Sequence, residues 1–204
     1  ETVYAPGTLI VSAAGEVADV KNIVTPNIVN DTATTLLYID MSLCEFELGG
    51  SSFAQLVNIL GTSTPEILDF SYFKTAFKAV QKLISKSLIL AGHDVASGGL
   101  ITTILEMTFA NVNGGLNLNL SSLDARDIIS LLYSEKPGLV IQVKQTEEAE
   151  SELAQAGVRY YRIGSPEIGR TLSLTFYEQT YQFSIDKYRD IWYKTSALLD
   201  EHQS

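Results

Sequence analysis

Cysteine is almost missing from this 204-residue sequence, in which Cys44 stands alone. One thiol closes no intrachain disulfide and builds no multi-cysteine metal site, so a disulfide framework is excluded and a cytoplasmic compartment is expected. Cys44 ends the run Met41-Ser42-Leu43-Cys44, where it reads as a small buried thiol without chemistry of its own. Basic residues are scarce as well, 14 Lys and Arg against 24 Asp and Glu, for a formal net charge of −10. No Lys/Arg cluster offsets that field locally, so a nucleic-acid partner is not expected. A small phosphorylated ligand is still admitted, because glycine turns and helix starts hold phosphate through backbone N–H groups.

Long apolar runs are lacking too, which excludes a membrane-spanning helix, and Glu1-Thr2-Val3-Tyr4 has neither the basic nor the apolar part of a signal peptide. There is no low-complexity linker, no heptad and no internal repeat. One α and β domain over residues 1–204 is therefore expected. With no initiating Met and no closing element at Glu201-His202-Gln203-Ser204, a piece of a longer chain is expected, and His202 is given no role.

What the sequence does contain is 46 % hydrophobic and 19 % charged residues, ordinary for one packed core. Apolar, β-rich runs predict strands at 8–14, 34–41, 88–92, 116–120, 139–144, 158–163, 171–177 and 180–185, the last two forming a hairpin across Glu178-Gln179. Turn chemistry at Asp19, Thr25-Pro26-Asn27 and Asn30-Asp31 predicts a loop or short helix between the first two. Helical spacing predicts helices over 53–60, from Asp69 to about Ser87, over 101–111, 124–134 and 146–156, and from Lys187 to Leu199. In the second of these, Phe73, Phe77, Val80 and Ile84 are expected to face the core. The alternation implies an α/β (α+β) domain, a mixed sheet of about six to seven strands with helices packed on it.

Two glycine turns precede helices: Gly49-Gly50-Ser51-Ser52, and Asp94 through Ser97, Gly98 and Gly99. Glycine lets backbone approach an anion, and helix-start N–H groups face it, so both turns are candidate phosphate cradles. Neither is a Walker loop or a dinucleotide fingerprint. The alternative is that the glycines only make tight turns and that Ser51 and Ser97 only cap helices. His93 and Asp94 are neighbours on a strand end, where side chains point to opposite sides, so a hydrogen-bonded dyad is not implied. His93 is a candidate phosphate contact or donor, Asp94 a candidate ribose or metal contact; the alternative is a core histidine beside a turn-capping aspartate. Glu106, among Ile104, Leu105 and Met107, and Glu135, before Pro137-Gly138, are candidate cleft carboxylates; a solvated helix face and a plain helix end are the alternatives.

Taken in order, Pro6-Gly7-Thr8-Leu9-Ile10-Val11-Ser12-Ala13, Val24-Thr25-Pro26, Leu48-Gly49-Gly50-Ser51, Gly92-His93-Asp94, Gly98-Gly99-Leu100, Leu105-Glu106-Met107 and Ser134-Glu135-Lys136-Pro137-Gly138 resemble the large, single-chain phosphoribosylformylglycinamidine synthase family. The similar region is the carboxy-terminal domain of the aminoimidazole ribonucleotide (AIR) synthetase fold in its second copy. The resemblance implies part of an ATP- and Mg²⁺-dependent ligase of purine biosynthesis. In it the formamide oxygen of formylglycinamide ribonucleotide is phosphorylated and ammonia from glutamine displaces the phosphate. The implied partners are the rest of the same polypeptide, a preceding synthetase-like domain and a following glutaminase domain, and a phosphorylated small molecule. No cofactor is expected tightly bound to these residues alone. The family's usual His-Asp-x-Ser-Asp-Gly-Gly-Leu has Ala96 and Ser97 here in place of Ser-Asp, which removes one carboxylate from the turn. A non-catalytic, interdomain-contact role and a stand-alone nucleotide-binding module are the competing readings.

Overall fold

A computed structural model describes residues 10–12, 14–17 and 19–203. Its centre is β1 (Thr35–Asp40), in which Leu36, Leu37, Tyr38 and Ile39 are all buried, so both faces of this strand are covered. Around it lie β2 (Ile89–Asp94), β3 (Gly114–Asn119), β4 (Gly138–Val143), β5 (Tyr160–Ile168), β6 (Thr171–Phe176) and β7 (Gln179–Ser184). They form one seven-stranded sheet in the order β2-β4-β1-β5-β3-β6-β7. Only β3 and β6 run parallel; the other neighbours are antiparallel, so the sheet is mixed.

The helices are α1 (Ser52–Leu56), α2 (Phe70–Ser85), α3 (Gly99–Phe109), α4 (Ile128–Tyr133), α5 (Thr146–Gln155) and α6 (Ile185–Gln203). One face of the sheet buries Leu36, Tyr38, Leu116, Leu118, Leu172 and Leu174 against α3 and α4, and Tyr188 of α6 packs at its margin. The other face buries Leu37, Ile39, Ile141 and Val143 against α2 and α5. In β3 and β6 the leucines alternate with Asn117, Asn119, Ser173 and Thr175, the pattern of strands covered on one side.

Several boundaries differ from the sequence expectation, each for a local reason. Of the strand expected over 8–14, residues 8, 9 and 13 lie outside the described residues, and Ile10 and Val11 are exposed without strand pairing. Between that segment and β1 there is a 3-10 turn at Val20–Asn22, capped by Asp19. The helix expected to reach residue 60 stops at Leu56, because Asn58 takes a left-handed φ of 57°. The helix expected from 124 begins at Ile128, where Asp127 and Ser130 form a reciprocal capping box. Along α2 the buried stripe is Ala76, Ala79, Val80 and Leu83. Phe77 is 51 % exposed, so its expected core position is corrected: small alanines let α2 sit close to Ala149 and Leu153 of α5, which turns the phenylalanine outward. β5 extends to Ile168 through Pro166, which lies beyond its pairing with β1, where no strand on that side requires the missing N–H.

Candidate functional site

The two glycine turns, far apart in sequence, converge on one carboxylate. Glu135, just after α4, accepts through Oε1 the Ser52 N–H at 2.8 Å and the Gly98 N–H at 3.0 Å. Burial pushes the Glu135 carboxyl up, but the Ser52 and Gly98 N–H groups, with the Ser52 hydroxyl, outweigh it and hold it below the ordinary glutamate value. The remaining N–H groups of the two turns bond within the chain. Gly49 N–H donates to Ser63 O at 2.8 Å, Gly50 N–H to Leu60 O at 2.8 Å, Ser51 N–H to Leu48 O at 3.2 Å and Gly99 N–H to Ala96 O at 3.0 Å. Ser51 caps α1, its Oγ accepting from Ala54 N–H. Ser97 does not cap α3. The cap is Gly98, in left-handed conformation with φ 89°, and Ser97 is exposed.

Gly99 must be glycine for two reasons. Its φ is +75°, and an added Cβ would lie 2.7 Å from Leu132 O, so the start of α3 presses directly on the end of α4. That contact sets Glu135 beneath both turns.

A second cluster surrounds His93. Its Nδ1 is 3.3 Å from Asp94 Oδ1 and its Nε2 is 3.2 Å from Glu106 Oε2. The expected divergence of His93 and Asp94 is thus corrected. Asp94 is the last residue of β2 and its exposed side chain folds back beside the ring. Glu106 does not lie on a fully solvated face: its side chain is 28 % exposed and its Oε1 accepts Trp192 Nε1–H at 3.0 Å. A neutral imidazole carries one N–H, so it serves one of the two flanking carboxylates, whereas the protonated ring serves both. His93 separates two hollows, one of about 380 Å³ lined by Pro26, Ile84, Asp94 and Leu139, the other of about 530 Å³ lined by Pro26, Glu106, Phe109 and Trp192. Among the described residues, no hydrogen bond joins the His93 cluster to the Glu135 cluster.

Sequence reasoning passed over a third group. Asp40, 1 % exposed, pairs with the buried Lys136 Nζ at 3.0 Å, and Arg159 Nη1 lies 3.7 Å from the same oxygen. The available signal was an aspartate ending an apolar strand and a lysine preceding Pro137-Gly138. Among the described residues no group of three or more His, Cys, Asp or Glu is gathered as a metal ion requires.

Comparison with known proteins adds the following. The model of "AIR synthase related protein, C-terminal domain" matches residues 42–175. A probable phosphoribosylformylglycinamidine synthase of Arabidopsis thaliana is 40 % identical over 147 residues, covering 72 % of this chain and 10 % of the plant protein. The Homo sapiens phosphoribosylformylglycinamidine synthase is 38 % identical over 165 residues, covering 80 % of this chain and 12 % of the human protein. This chain therefore spans about a tenth of the length of these relatives. Among solved structures, T. maritima PurL complexed with FGAR superimposes with a TM-score of 0.63 at 12 % identity, over 83 % of this chain and 30 % of that one. T. maritima PurL complexed with ATP gives 0.61 at 10 % identity, over 82 % and 27 %. At such identities these two show a shared fold.

Proposed function

Because the chain belongs to the AIR synthase related family through the C-terminal domain, we propose that it serves as one domain of a longer phosphoribosylformylglycinamidine synthase. The observation that carries this reading is the identity of about two residues in five with the Arabidopsis and human synthases over most of the chain. The whole enzyme would convert formylglycinamide ribonucleotide, glutamine and ATP to the amidine, in the cytoplasm, with the glutaminase and the preceding synthetase domain supplied by other parts of the polypeptide.

Within it, we assign the two glycine turns to bracing rather than to phosphate binding. The hydrogen bonds support this: the N–H groups of Gly49, Gly50, Ser51, Ser52, Gly98 and Gly99 all have acceptors inside the chain. The residues present fit neither the phosphates of ATP at these turns nor Mg²⁺, so no catalytic step is routed through either here. One observation favours the competing phosphate reading. A carboxylate oxygen already occupies the point where the two turns meet, as an anion would.

The test has two parts. The longer protein should form amidine with glutamine or ammonia, and the 204 residues alone should not; a longer protein without amidine formation would end the proposal. Glu135→Ala separates the roles of the turns. Bracing predicts a less stable chain that takes up no phosphate, and a cradle predicts phosphate binding gained when the internal carboxylate is removed.

A further inference from the structure

Below the Asp40–Lys136 pair is a hollow of about 210 Å³, lined among others by Tyr38, Cys44, Phe46, Lys136, Arg159 and Tyr161, and separate from both clusters described above. Its hydrogen-bond inventory is lopsided. The acceptors of Asp40 are used: Oδ1 takes Ser42 N–H at 3.0 Å, Ser42 Oγ–H at 3.2 Å and Leu43 N–H at 2.9 Å, and Oδ2 takes Lys136 at 3.0 Å. The donors are not used. Lys136, 5 % exposed, has three N–H bonds, of which one goes to Asp40, while its ammonium also sits 4.5 Å from the Phe46 ring centroid. The Tyr38 hydroxyl is buried and has no hydrogen-bond partner among the described residues. A buried hydroxyl left unpaired costs about 1–3 kcal/mol, so a native structure that keeps one calls for an acceptor not yet named.

Charge defines that acceptor further. At the inner wall two cations, Lys136 and Arg159, face one carboxylate already paired. At the outer side the exposed Glu45 and Asp124 line the same hollow, and both continue into an adjoining one of about 240 Å³ with Glu47 and Arg126. A phosphate dianion would be repelled by these outer acids, and a simple amine would leave the inner donors unanswered.

We propose that this hollow binds an amino-acid-sized zwitterion, its carboxylate set against Lys136, Arg159 and the Tyr38 hydroxyl and its ammonium toward Glu45 and Asp124. The site is independent of the synthase reading, since it rests on none of the residues used there. Calorimetric titration with L-alanine tests it, with propionate and ethylamine as half-ligands and inorganic phosphate as the opposing probe. Saturable heat is expected with L-alanine, and binding about tenfold weaker with either half-ligand, from loss of one charge-assisted contact. Tyr38→Phe should weaken L-alanine about tenfold without lowering the melting temperature, because it removes an unpaired hydroxyl and keeps the ring. Arg159→Gln, at a half-exposed position, gives a second variant expected to fold and to weaken binding. No saturable L-alanine signal at millimolar concentration, equal binding of propionate or phosphate, or unchanged affinity in both variants overturns the proposal and leaves a water-filled hollow.

Discussion

Trp192 on α6 donates its indole N–H to the Glu106 carboxylate on α3 at 3.0 Å, and the other oxygen of that carboxylate faces His93. One side chain therefore fastens the last helix to the strand end that carries His93. Trp192 is the sole tryptophan, so its emission reports this contact alone. Glu106→Ala should shift that emission and reduce stability by about 1 kcal/mol, the scale of one hydrogen bond at a half-exposed site. An unchanged spectrum would mean that the indole is held by its stacking on Phe109 and not by the carboxylate.

The Glu135 contact carries a pH dependence of definite sign. Its carboxyl is held below the ordinary value in the folded chain, so the clasp contributes in full above the unfolded-state value of about 4.3 and is lost as pH falls through the lower, folded value. In urea melts, wild type should exceed Glu135→Gln in stability near pH 6, and the gap should close on acidification below about pH 4. A gap that widens in acid would contradict the assignment.

Two glycines with similar backbone angles should respond very differently to alanine. Gly99 has φ +75° and backbone atoms of α4 in the way of a Cβ, whereas Gly157 has φ +69° and nothing within 4 Å. Gly157→Ala should destabilise by about 1 kcal/mol through backbone strain alone, and Gly99→Ala by about 2–4 kcal/mol as α3 is forced off α4. Equilibrium denaturation of both variants measures the difference.

Which parts of this architecture could be read in the sequence follows from whether the cause was local. Asp69 before an amphipathic run announced α2, and Glu178-Gln179 between two β-rich runs announced the β6–β7 hairpin; both features lie within a few residues of their effect. The outward turn of Phe77 depends on Ala149 and Leu153 of another helix, and no periodicity within α2 contains them. The candidate site divides in the same way. Glycine turns before helices were legible, but their convergence on Glu135 required the packing of α3 against α4. Asp40 and Lys136, 96 positions apart, form a buried pair that only the β1–β4 register brings together.

That pair should behave as a unit. Lys136→Met leaves the Asp40 carboxylate buried with its main counter-charge gone and should destabilise by about 3–5 kcal/mol. Adding Asp40→Asn should recover part of that loss, because the amide needs no counter-charge while still accepting from Ser42 and Leu43. Chemical denaturation of the two single variants and the double variant closes the cycle, and strict additivity would show that Arg159 alone compensates Asp40.

The position of β1 also bears on how this chain is made. It is the first strand laid down and the centre of the sheet, but its partners β4 and β5 come about a hundred residues later, as the pairing of Thr35 with Val143 records. At ordinary rates of synthesis that interval is about 5–20 s, during which Leu36, Leu37, Tyr38 and Ile39 emerge with neither neighbour available. The segment most deeply buried in the finished domain is thus the one with the longest exposure during translation, and the order of the sheet builds a demand for chaperone cover into the nascent chain.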